Sequence, residues 1–173
     1  MNKTYQILMT VLIAVVAITA QIPNNGLVAF FPFNGTYNDE SDNALLTETV
    51  GVPASLTADR NGTTNSTYEL DGNTQGFKVV NTEKLPIGNP SLTITAWFYS
   101  KNGGVPRVLA SWGTDTVGKK NEIVFYKASI DGIAHLGLTN GVDSIIAKCP
   151  YTTANWFYAA VKVSSGTATF YMN

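Results

Sequence analysis

Asp39, Glu40 and Asp42 fall within four positions, in the stretch GLVAFFPFNGTYNDESDNA from Gly26 to Ala44. An apolar run breaks there into amides, hydroxyls and carboxylates. Such a cluster can cut a sugar linkage, hold a hard cation, or close a polar turn. Glycoside hydrolysis needs two carboxyl groups aimed at one bond, as nucleophile or base and as acid. Glu40 and Asp42 are two apart but lie in a turn-like segment, and Asp115, Glu122 and Asp131 are scattered. A hard cation such as calcium wants several oxygens from carboxylates, amides and backbone carbonyls. NDESDN supplies these densely, and an Asx-rich turn whose side chains bond the local backbone would use the same residues. One histidine and one cysteine do not make a zinc site. The histidine, His135, has no Ser or Cys motif to serve, so it reads as an ordinary strand residue.

Sugar recognition would need an aromatic face with planar amides or acids on loops. Trp112, in ASWGTDTVGKKNE, and Asn102, in KNGG, are the candidates. The segment from Trp112 to Lys120 is the longest polar loop between strand-like runs, and loops on a rigid scaffold tend to carry binding residues. Trp97 and Trp156 lie within such runs and are expected in the core.

The elements that must position these residues are strands. Helical periodicity is nearly absent after residue 20. Short runs rich in β-branched and aromatic residues recur at 27–33, 66–70, 76–80, 91–100, 107–112, 122–128, 133–139, 143–149, 156–164 and 167–172, bounded by Asn, Gly, Asp, Pro and Ser clusters. That spacing predicts an all-β, two-sheet antiparallel sandwich. In SLTITAWF, Leu92, Ile94, Ala96 and Phe98 share one face, opposite Thr93, Thr95 and Trp97. Ala168, Phe170 and Met172 likewise oppose Thr169 and Tyr171. Asn140-Gly141 between two runs is a hairpin signal.

Residues 1–20 read as a secretory signal: Lys3, then fourteen uncharged, mostly apolar residues from Ile7 to Ala20. The run is short for a spanning helix, so no stable membrane span is expected after its removal. Residues 21–173 then form one domain with a net charge near −2 and no basic cluster, which excludes nucleic acid as a partner. An exported chain meets an oxidising compartment, yet Cys149 is the only cysteine. It is either a buried thiol or a thiol whose partner lies elsewhere. Asn34, Asn61 and Asn65 head N-x-S/T triplets, glycan acceptors in a eukaryotic secretory route.

Taken in order, GLVAFFPFNGTYNDESDN, DRNG, YELDG, SLTITAWF and NWFYAAVKVSSGTATFYMN resemble the laminin-G-like, concanavalin-A-like jelly-roll family. The resemblance covers nearly all of residues 21–173. It implies a secreted, non-catalytic recognition module for carbohydrate or an extracellular protein. It also implies a structural calcium, with Asp39 and Asn43 carried over from the first loop, Asp71 as a third ligand from the LDG turn, and Asp42 added where the family has glycine. Glucanases sharing this sandwich carry an E-x-D-x-x-E strand. Here Glu40 and Asp42 match, but Leu45 stands in place of the last acid. The family pattern continues past FYMN with further strands. Either the sequence is a fragment of a longer chain, or the jelly roll has an open sheet edge, inviting self-association through that edge or through Cys149. A filament subunit is therefore the alternative reading, and a glucanase the third.

Overall fold

The computed structural model describes residues 22–86, 91–101, 107–113, 120–127, 134–139 and 144–173. They form eleven strands: β1 (Thr47–Val50), β2 (Ser55–Thr57), β3 (Thr67–Glu69), β4 (Gly76–Val79), β5 (Leu92–Tyr99), β6 (Arg107–Gly113), β7 (Lys120–Lys127), β8 (Ala134–Thr139), β9 (Ser144–Tyr151), β10 (Trp156–Ser164) and β11 (Thr167–Met172). A single 3-10 turn, Thr82–Lys84, is the one helical element among the described residues. No helix among them is long and apolar enough to cross a membrane.

All pairings are antiparallel. β6-β7-β8-β9 is a four-stranded meander, β11-β10-β5 a three-stranded ladder, and β1-β4 and β2-β3 are short pairs. β11 lies at an edge of its ladder. Its hairpin with β10 turns on Ser165 and Gly166, at φ 49° and 76°. Two successive positive φ values are what a two-residue hairpin matching the strand twist requires.

The core lies between the two larger ladders. Period-two alternation sends one side of each strand inward. Phe98 of β5, Ala159 and Val161 of β10, Leu136 of β8 and Tyr151 of β9 form the buried cluster. Ile94, Phe157, Phe170 and Met172 complete it from the three-stranded side, and Leu109, Trp112 and Leu138 from the four-stranded side. Phe98 and Tyr151 meet edge to face at 5.7 Å, a favoured arrangement of ring quadrupoles.

Nine of the ten strand-like runs become strands. The exception is 27–33, which has no ladder partner among the described residues. Two short strands, β1 and β2, were not legible beforehand; they are mostly exposed. A second aromatic group, Phe31, Phe33, Tyr37, Tyr68 and Phe77, ties the 27–33 segment to β3 and β4, with Tyr37 stacked on Tyr68 at 4.1 Å. Burial pushes the Tyr37 hydroxyl above its usual pKa, and the neighbouring Tyr68 adds to this.

Candidate functional site

The acidic stretch first. Asp39 Oδ1 accepts the backbone N–H groups of Phe30 (2.7 Å) and Ser41 (3.0 Å). Its Oδ2 accepts the Ser41 hydroxyl (2.7 Å) and the Leu45 N–H (2.8 Å). The Asn43 side-chain amide donates to the Val28 carbonyl at 2.9 Å, and the Glu40 N–H to the Phe30 carbonyl at 2.8 Å. The polar loop thus supplies, largely from side chains, the hydrogen bonds that the apolar run would otherwise take from a ladder. This accounts for 27–33 lying outside the strand ladders. Burial pushes the Asp39 carboxyl up, but the donors from Leu45, Phe30 and Ser41 outweigh it and hold the group below its ordinary pKa.

Asp71 is engaged in the same way. Its Oδ1 accepts the N–H groups of Asn73, Thr74 and Gln75, and its Oδ2 the Thr74 hydroxyl. The N–H donors of Asn73 and Thr74 bring its pKa to about 2. A calcium site needs carboxylate lone pairs turned toward one centre. As placed, Asp39 and Asp71 turn theirs toward local N–H and O–H groups. Asp42 is exposed, and the Asn43 carbonyl accepts the Lys84 ammonium. Among the described residues, no group of three or more His, Cys, Asp or Glu is placed to hold a metal ion.

The other candidates separate. Glu40 is exposed and accepts from the Asn34 amide at 3.2 Å, while Leu45 is buried. Trp112 lies on β6, half-buried against the core. Asn102 and the Asn140-Gly141 turn lie outside the described residues, as do the signal segment 1–20 and the side chain of Cys149. Asn34, Asn61 and Asn65 are all exposed.

What sequence reasoning missed is on the opposite side of the three-stranded ladder. Trp97, expected in the core, is 43% exposed on the outer face, beside Tyr99 at 42%. Register sets Trp97 across from Tyr158 and Tyr99 across from Trp156. The ring centroids of the two pairs lie 5.4 and 5.7 Å apart, tilted by 52° and 60°. Successive rows on one face of a strand lie about 7 Å apart, so the four rings form one continuous patch. Tyr171, 54% exposed, flanks it from β11.

No family model matches this chain, and no curated protein or solved structure is significantly similar to it. The geometry of the patch therefore carries the functional argument.

One cation completes it. The Arg60 guanidinium carbon lies 4.6 Å from the centre of the Trp97 ring, within cation–π range. Arg60 is held there by the turn Asp59-Arg60-Asn61-Gly62, closed by Gly62 N–H to the Asp59 carbonyl at 3.0 Å. The Asp59 carboxylate secures the turn by accepting the N–H groups of Asn61 (2.9 Å) and Thr63 (2.8 Å). These donors, Thr63 foremost, lower its pKa. An ion pair between Glu69 and Lys101 ties the hairpin to the end of β5. The signal for this site was available: the alternation in SLTITAWFY already placed Trp97 and Tyr99 opposite the apolar side.

Proposed function

We propose that the protein is a secreted, non-catalytic carbohydrate-recognition module whose contact surface is the outer face of β5, β10 and β11. The observation that carries this reading is the aromatic patch in which Trp97 and Tyr99 are exposed and Trp156 and Tyr158 half-buried, with threonine hydroxyls beside it on β5 and β11. Sugar rings present apolar C–H faces and polar rims. An aromatic platform next to hydroxyls matches both, and it is mounted on a ladder whose other side is locked into the core. Contiguous exposed aromatics on a folded surface mark an interaction site more often than isolated apolar residues do. The laminin-G-like resemblance and the leader-like first 20 residues support recognition outside the cell, with calcium a part of that family expectation to which the turn geometry lends no support.

The test is a glycan array followed by titration with the best oligosaccharide found. Trp97→Ala should raise Kd by roughly tenfold or more, since a lost aromatic contact at the centre of a small site removes on the order of 1–2 kcal/mol. Its unfolding midpoint should stay close to that of the parent chain. Trp112→Ala should show the reverse, binding retained per folded molecule but with a lower midpoint. Unchanged affinity in Trp97→Ala would remove this face from consideration.

A further inference from the structure

We infer that the outer face takes a carboxylated glycan, a polymer of hexuronic acid, and that the Arg60 guanidinium reads the carboxylate. The inference rests on the sugar-binding role proposed for that face and names its ligand class. It starts from charge. By register, the outward positions of β5, β10 and β11 carry aromatics, threonines, Ala160, Lys162 and Ser164, with no acidic residue among them. The acids nearby in the hairpin are already engaged. Glu69 pairs with Lys101, and Asp59 accepts the amides of its own turn. Arg60 therefore has an indole beneath it and, among the described residues, no carboxylate partner.

A guanidinium over an indole still carries N–H donors in a planar fork, and such a fork matches a planar carboxylate in bidentate fashion. A sugar laid on the aromatic patch would bring such a group to Arg60. A second cation, Lys162, the only one at the outward positions of these strands among the described residues, sits across from Thr93, four residues along β5 from Trp97. At about 3.3 Å per residue the two registers are about 13 Å apart. Single cations at that spacing, separated by aromatic and hydroxyl groups, suit a chain with isolated charges along a stackable backbone. A densely sulfated chain would call for a basic cluster, and this face has none.

The test uses the full chain as produced and three kinds of probe: polyuronates of several linkages, the same polymers with carboxyls reduced to alcohols, and a sulfated polysaccharide. The expected result is that a polyuronate binds roughly 10- to 100-fold tighter than its carboxyl-reduced form, the worth of one charge-assisted bidentate contact. Arg60→Gln should abolish that gap, so that the acidic and the reduced polymer bind alike. Arg60→Lys, which keeps the charge but loses the fork, should restore only part of it. Both substitutions are at an exposed position, and identical circular dichroism spectra will verify the fold. Equal affinity for the acidic and reduced polymers would overturn the inference and leave the carbohydrate reading standing, as would a gap that persists in Arg60→Gln. Preference for the sulfated polymer would also overturn it. No binding to any of the three, nor to any glycan on the array, would overturn both.

Discussion

Phe98→Ala is expected to cost about 3–5 kcal/mol of stability, while Trp97→Ala one residue earlier costs no more than about 1.5 kcal/mol. Both remove a large ring from β5, so composition alone would rank them together. Pleating separates them. Phe98 is 6% exposed and contacts Tyr151 and Phe157 at centroid distances of 5.7 and 5.8 Å. Its truncation leaves a cavity at the meeting point of the two ladders, and the surrounding rings are too constrained by their own strands to close it fully. Trp97 faces out, against Tyr158 and the Arg60 guanidinium, and its removal exposes surface that is already partly wet. Total stabilities of single domains run to about 5–15 kcal/mol, so Phe98→Ala should shift a urea midpoint severely or prevent folding. Urea unfolding of both variants reads the difference. Comparable losses in the two would mean that Trp97 is covered in the native state, and the outer face would cease to be a candidate surface.

That pair also marks where sequence was a sufficient guide. Period-two alternation in 92–99 and 167–172 named the inward residues correctly, because a strand buried on one side has one solution for its apolar set. The same alternation put Trp97 outward. The preference of aromatics for interiors pointed the other way, and the pleat prevailed. The 27–33 run failed for a different reason. Its apolar composition suits a strand, but its partners are Asp39 and Asn43 side chains and the Glu40 amide, and no local pattern announces such bonds. β1 and β2 were missed because Thr47–Val50 and Ser55–Thr57 are short and mostly exposed, leaving little alternation to detect. Arg60 over Trp97 joins residues 37 apart through a hairpin fold, a contact the residue types alone could not indicate.

Asp39→Ala is expected to cost about 2–4 kcal/mol, and neither chelator nor added calcium should change the melting temperature of the parent chain. The first part follows from what the carboxylate holds. Removing it leaves the N–H groups of Phe30 and Leu45 without their acceptor, and Leu45 is itself buried at 4% exposure. A buried donor left unpaired costs about 1–3 kcal/mol, and two are stranded here in a partly buried setting. Asp39→Asn should cost less, because the amide oxygen can still accept two of the bonds, although its NH₂ now faces donors. Proton linkage gives a second readout. The folded-state pKa of Asp39 lies below its unfolded value, so its contribution is complete above that unfolded value, near 4, and fades as pH falls through the lower folded value. Parent and Asp39→Asn midpoints should therefore diverge at neutral pH and converge in acid. The second part follows from direction: with its oxygens turned to N–H and O–H donors, Asp39 offers a cation little. A ligand that binds only the native state must raise its stability by mass action. A melting temperature that falls with chelator and recovers with calcium, a response lost in Asp39→Ala, would show that the loop reorganises around an ion and that the turn described here is its apo form.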